Sequence, residues 1–354
     1  MASSRSRAPK ALAQSTGESV IIGLFTSPEL LDVYLSANGL GKLRFLRFAW
    51  AASAWPAACS LTKINRAVRN AVLAWRSRCR LISLRMIWRT EDYVTIDDNA
   101  LNVCARDCTS MRVLELNATR LTNAAVQNLA VRCPLLEELF LNDGDHLGNP
   151  AFLSIGRNCT SLTTLNLSNI PLTAIGATAL VVGCQRLRKL SLWRIGDLPA
   201  DLVQALPSLL PDLRDLRLGH LTGVTTEVLA NTHWPKLENL DLSWLSDGAV
   251  SVTSAFPVAP MLKKLDLSYR GQPEPGNQDV HTLRHLNTRC PLLKDFNVSG
   301  RGDIDLRGLS LPQLALLEIS QFDTDGSALA DAQLPSLKRL NTCACTCSTC
   351  TCSG

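Results

Sequence analysis

Aromatic side chains are scarce in this 354-residue chain, at 5%. Any core must therefore be built from aliphatic residues, which make up most of the 46% hydrophobic content. No apolar run reaches the 18 or more residues that a membrane helix requires, so no membrane span is expected. The opening stretch MASSRSRAPKALAQSTG has no long apolar segment, which argues against a secretory signal. Being rich in Ser, Ala and Arg and free of acids until Glu18, it reads as a disordered leader or as an organelle transit peptide. Nowhere does the chain carry a phosphate-cradling glycine loop, a supported nucleophile–base pair or an acid/base pair. Its five histidines include His281 and His285, four apart but without the Glu of a His-Glu-x-x-His metal site. These absences point away from catalysis, and no metal or other cofactor is expected.

Acidic residues are also missing from the front. Residues 1–90 hold 14 Lys/Arg against Glu18, Glu29 and Asp32, so the remainder is net acidic although the whole chain is +5. The 13 cysteines fall into groups. Cys108, Cys133, Cys159, Cys184 and Cys290 keep phase with leucines and read as small buried hydrophobes in a reducing compartment, cytoplasmic or nuclear. In that setting the sequons at Asn117, Asn158, Asn166 and Asn297 carry little weight. Cys343, Cys345, Cys347, Cys350 and Cys352 crowd a low-complexity tail, residues 343–354. Their Cys-x-Cys spacing could suit a soft metal, but a plain terminal extension is the simpler reading.

What the chain has in abundance is a repeat. Leu-x-x-Leu-x-Leu recurs with its central residue at Leu114, Leu139, Leu165, Leu190, Leu216, Leu240, Leu265, Phe296, Leu317 and Leu340, and a weaker copy centres on Leu84. Successive gaps from Leu114 are 25, 26, 25, 26, 24, 25, 31, 21 and 23 residues, a solenoid period. Each copy opens with strand-like alternation and continues with helical spacing. In the helical part, Leu121, Ala125, Leu129 and Ala130 are expected to share a face, as are Leu172, Ile175, Ala179 and Val182. A proline follows most helical parts, as in CPLL, WPKL and APML, and stops the helix before the next strand. One copy cannot stand alone. Burying a leucine gains roughly 1.5–3 kcal/mol, whereas ordering backbone costs about 1–2 kcal/mol per residue. Stacked copies cover both sides of each leucine layer.

This pattern resembles the cysteine-containing leucine-rich repeat and spans residues 81–342. The resemblance implies an α/β solenoid, a horseshoe with an inner parallel sheet and outer helices. The sequence departs from it three residues after the last strand leucine. The family often has Cys or Asn there; this chain has Thr119, Gly144, Ile170, Ile195 and Leu221, so the turns must satisfy their backbone in another way. Upstream, SPELLDVYLSANGLGKLRFLRFAWAASAW resembles the F-box, with Pro28, Leu30, Leu31, Leu40, Phe45 and Trp55 on the motif. The implied organisation is a disordered leader (1–25), a helical F-box-like module (26–60), a basic amphipathic joint helix (61–80), the repeats and the tail. The alternative for 26–60 is a helical cap on the solenoid.

Residues between the strand leucines should line the face where solenoids bind partners. The expected outward positions include Glu115 and Asn117, Asp241 and Ser243, and Asp266 and Ser268. Phe140, Trp193 and Arg217, flanked by His220, Trp244 and Tyr269, form the expected partner-recognition patch, because aromatic and Arg side chains anchor interfaces. The family resemblance implies a non-enzymatic substrate receptor of a Skp–cullin–F-box ubiquitin ligase, monomeric within its complex, with a Skp-type adaptor, a cullin and a protein target as partners and no DNA. A ligase-independent leucine-rich scaffold or inhibitor is the rival. A third reading is a nucleic-acid- or lipid-associated protein using the basic helix.

Overall fold

The computed structural model describes residues 19–22, 45–49, 83–87, 97–107, 109–221, 223–245, 256–269, 281–282, 286–299, 304–305, 308–319, 329 and 331–342. The chain divides into two compact units, Met1–Leu162 and Thr163–Gly354.

Unit 1 holds strands β1 (Ser19–Ile22), β2 (Phe45–Ala49), β3 (Ser83–Ile87), β4 (Val113–Asn117) and β5 (Glu138–Asn142). They pair in chain order, all parallel, with Val20, Leu46, Leu84, Leu114 and Leu139 in register. Helices α1 (Asp98–Asp107), α2 (Asn123–Arg132) and α3 (Asn149–Asn158) follow β3, β4 and β5 in turn. Unit 2 continues the same alternation with strands β6 (Thr164–Ser168), β7 (Lys189–Trp193), β8 (Asp215–Arg217), β9 (Asn239–Asp241) and β10 (Lys264–Asp266). Helices α4 (Ala174–Gly183), α5 (Ala200–Leu209) and α6 (Thr226–Ala230) connect the first four of these strands. Beyond β10 lie β11 (His281–Thr282), helix α7 (Leu286–Arg289), β12 (Asp295–Asn297), β13 (Ile304–Asp305), β14 (Leu316–Glu318) and β15 (Arg339–Asn341). The parallel sheet of unit 2 runs β6-β7-β8-β9-β10-β12-β14-β15, while β11 and β13 pair separately.

The marker leucines explain this order. Every marker from Leu84 to Leu317 is buried, each in register with the next along its unit's sheet. Strands pair where stacking two leucine layers removes the most apolar area from water. Leu340 is the exception, at 42% exposed. It sits on β15, which pairs with β14 and has no further described strand beyond it. At the entry to the strands, one carbonyl accepts two amides from the next copy: Arg188 O takes Arg214 N and Asp215 N at 2.8 and 3.0 Å, and Arg214 O takes Glu238 N and Asn239 N at 2.8 and 2.9 Å. Ion pairs run along the same edge. Glu238 lies between Arg214 (3.0 Å) and Lys263 (2.6 Å), and the hydrogen bond from Lys263 is the chief cause that holds its carboxyl below the usual range.

The helices bury one face, and in α4 it is not the face expected. Gly176, Ala177, Leu180 and Val181 are inside, while Ile175 is 61% and Val182 50% exposed. Nearly every residue of α4 is apolar, so its own periodicity does not select a face. The buried cysteine after it does: Cys184 lies four residues past Leu180, as Cys133 lies four past Leu129 at the end of α2. Cys133, Cys159, Cys184 and Cys290 are all buried thiols, whereas Cys108 lies outside the described residues. Trp234 occupies the corresponding place after α6, buried, with its indole N–H donated to Thr232 Oγ1 at 2.7 Å.

The front of the chain departs from the helical expectation. Phe45, placed in a helix by the F-box resemblance, begins strand β2, and β1 forms within the segment read as a leader. The sequence KLRFLRF contains Leu43-x-x-Leu46-x-Phe48, which is the repeat's own spacing and accounts for an extended backbone there. Pro28, Leu30, Leu31, Leu40 and Trp55 lie outside the described residues, as do the joint helix (61–80) and the cysteine-rich tail. Among the described residues no helix is long and apolar enough to cross a membrane.

Burial raises the thiol pKa of Cys184 and of Cys290 to about 12 from an ordinary 9.0. Both should therefore stay unlabelled by iodoacetamide at pH 8 in the native protein and react once it is unfolded. Peptide mass mapping checks this, and rapid native labelling would contradict it. Because the folded pKa is the higher one, the stabilising contribution of these neutral thiols is complete below about pH 9 and is lost as the pH rises towards 12. Urea midpoints should fall across that alkaline window.

Candidate functional site: an aromatic row at the strand ends

Four residues past the marker the chain turns out of the strand, and at that point the backbone enters the left-handed region. Asp143 (φ 54°), Asn169 (54°), Arg194 (53°), His220 (58°) and Trp244 (61°) all occupy it, at successive copies. None is glycine. For a bulky residue such as Trp244 this conformation costs about 1–2 kcal/mol.

Hydrogen bonds from the next copy hold the turn. Asn169 N donates to Trp193 O (3.0 Å), Arg194 N to Gly219 O (3.2 Å), His220 N to Ser243 O (2.9 Å) and Trp244 N to Ser268 O (2.7 Å). The sheet's pairing thus extends past the strand ends, and this replaces the polar side-chain ladder that the sequence lacks. Side chains assist in some copies. Asp241 Oδ1 accepts from Ser243 N at 3.0 Å, and Asp266 Oδ1 from Ser268 N at 2.8 Å. In unit 1 Asn117 is buried rather than outward. Its amide donates to Asp143 Oδ2 at 2.7 Å, and its Oδ1 accepts from Thr119 N and Oγ1. Ser243 is likewise buried.

The left-handed turn brings rings from neighbouring copies together in unit 2. Trp193 meets His220 edge to face, with centroids 5.6 Å apart and planes at 79°. His220 stacks on Trp244 at 5.9 Å and 10°. Trp244 meets Tyr269 at 6.5 Å and 68°. Such offset and edge-on pairs are favoured by the ring quadrupoles, by about 0.5–1.5 kcal/mol each beyond burial. The row is open to solvent: His220 is exposed, Trp244 is 37% exposed, and Trp193 and Tyr269 are half-buried.

One glycine makes room for it. A Cβ on Gly219 would lie 2.8 Å from Trp193 Cδ1 and 2.8 Å from Ser243 O, so the indole edge rests where other copies carry a side chain. Sequence reading passed over Gly219. The signal was there, since the third position past the marker is Asn142, Ser168, Trp193, Ser243 and Ser268 in neighbouring copies.

Of the expected patch, the structure therefore brings Trp193, His220, Trp244 and Tyr269 into one contiguous row. Arg217 stands exposed on β8 of the same unit, its Nε donating to Asp215 Oδ1 at 3.3 Å. Phe140, half-buried on β5, belongs to unit 1. What the arrangement can do is bind. It offers rigid aromatic faces beside a polar sheet.

Parallel strands in register on buried leucines, alternating with helices, define the chain as a leucine-rich-repeat solenoid. No family model matches it. Among solved structures, a chain of the crystal structure of the Rad7 and Elc1 complex in yeast is similar, with a TM-score of 0.57, over 84% of this chain and 67% of that one. Identity is 15%, so the likeness is one of fold.

Substituting Gly219→Ala should lower stability by about 1–3 kcal/mol through overpacking and displace the Trp193 indole. Urea denaturation and near-ultraviolet circular dichroism read the two effects. An unchanged midpoint with an unchanged aromatic spectrum would contradict the close approach.

Proposed function

We propose that the chain is a non-catalytic adaptor that holds a protein target against the aromatic row of unit 2. The observation that carries this reading is the row itself: Trp193, His220, Trp244 and Tyr269, two of them in a left-handed backbone held by inter-copy hydrogen bonds. Unusual backbone conformations that persist in a well-tied framework concentrate at binding sites. Exposed, pre-organised aromatics supply contact area at little entropic expense.

In its finer form, the proposal is a substrate receptor of a Skp–cullin–F-box type ubiquitin ligase. Pro28, Leu30, Leu31, Leu40, Phe45 and Trp55 would dock a Skp-type adaptor that joins a cullin, and bound target would be presented for transfer by proximity. The F-box resemblance supports this, and the similar chain in yeast was solved in a complex, that of Rad7 and Elc1. A second reading, a ligase-independent scaffold, is favoured by one specific observation. Phe45–Ala49 is a strand within a parallel sheet, where a helical docking module would place a helix.

Co-expression with a Skp-type adaptor separates the two. The ligase reading predicts recovery of the adaptor with the wild-type chain and its loss with Leu30→Ala/Leu31→Ala at an unchanged melting temperature. Failure of the wild-type chain to recover the adaptor supports the scaffold. Under either reading, Trp193→Ala/Trp244→Ala should weaken capture of a verified target by more than about tenfold, as loss of interface anchors does, in a chain that far-ultraviolet circular dichroism shows still folded.

A further inference from the structure

The outward row one residue past the marker changes character along unit 2. Strands β6, β7 and β8 present Asn166, Ser191 and Arg217; β9, β10, β12 and β14 present Asp241, Asp266, Asn297 and Glu318. The later four positions hold three carboxylates, one amide and no cation. They line a hollow of about 460 Å³ on the sheet face. Asp215 and Asp295 join them from the row on the other side of the marker, and among the described residues Arg217 and Lys264 are the cations that line it. Each cation is engaged, Arg217 with Asp215 at 3.3 Å and Lys264 with Asp295 at 2.7 Å. Five carboxylates against two cations leave the hollow with three net negative charges.

The geometry fixes these charges in place. One oxygen of Asp241 and one of Asp266 accept the backbone N–H two residues on. Asn297 donates to Asp266 Oδ2 at 3.3 Å, and Asn341 to Glu318 Oε1 at 3.1 Å. These amides orient the carboxylates without neutralising them. Trp244 and Tyr269 follow Asp241 and Asp266 by three residues, just past the strand ends, which puts them within about 10 Å at the rise of an extended chain. Carboxylates beneath and aromatic faces beside are two independent features that favour the same group, a guanidinium or ammonium ion.

We propose that this face of unit 2 docks an extended Lys/Arg-rich segment of the target protein. Adjacent parallel strands stand about 4.8 Å apart, so Asp241 to Glu318 spans roughly 14 Å, the reach of four or five extended residues. A segment crossing the strands there sets cations over the carboxylates, with the aromatic row flanking it. The inference rests on the chain being a protein-binding adaptor or scaffold and is independent of any attachment to a ligase.

Fluorescence anisotropy on the purified full-length chain tests it, with a short labelled peptide of alternating arginine and serine as the probe. Binding is expected, weakening as sodium chloride is raised, with no binding of the glutamate–serine counterpart. Asp241→Asn/Glu318→Gln keeps the one accepting oxygen at each position and should keep the melting temperature while weakening the peptide by more than about tenfold, or 1.4 kcal/mol. Lys264→Ala releases Asp295 and should tighten binding. Lack of binding by the wild-type chain, or equal affinity in the charge-neutral variant, would overturn the proposal. No Skp-type adaptor is present in this assay, so failure of the ligase reading leaves its outcome unaffected.

Discussion

Stacking of one leucine layer on the next is the constraint from which the remaining structure follows. A single copy exposes its strand leucines above and below and cannot offset the entropy of ordering its own backbone. Once Leu190, Leu216, Leu240 and Leu265 lie in register, the strands that carry them are parallel and paired, and the polar residues between them share the opposite face. Cys133, Cys159, Cys184 and Cys290, with Leu210 and Trp234 in their place after α5 and α6, are then buried where the helices end.

The same stacking sets the site. Where the strands end, amides of one copy continue to meet carbonyls of the next, so the chain can turn through a left-handed residue without glycine. Histidine and tryptophan at that residue project into a row because the turns are themselves in register. Gly219 is the local exception that lets the Trp193 indole join the row. The carboxylates of the later copies occupy outward positions of the same sheet. Shape and charge of the proposed binding face are therefore both products of a repeat whose buried positions are uniform and whose outward positions are not.

The repeat was legible because burial forces leucine at fixed intervals, and each marker from Leu114 to Phe296 falls on a strand as its spacing requires. The aromatic patch was legible in composition, since Trp193, His220, Trp244 and Tyr269 stand near strand ends in an aromatic-poor chain. Its geometry was not, because a left-handed turn at histidine or tryptophan leaves no mark of residue type. The face of α4 was misread for a different reason: a helix that is apolar all round has no preferred side until its cysteine is aligned with those of other copies. Asn117 was misread because strand alternation gives way at the turn, where a buried amide bridges two copies. At the front, the F-box spacing and the repeat spacing overlap on the same residues around Phe45, and the strand there follows the second.

Native-state hydrogen exchange at single amides tests the dependence of the turn on the neighbouring copy most directly. If inter-copy pairing holds the left-handed turns, the amides of His220 and Trp244 should be as protected as those of strand residues Leu216 and Leu240 and should open with them. Exchange of the His220 and Trp244 amides at the rate of an unstructured chain, while the strands stay protected, would contradict the account.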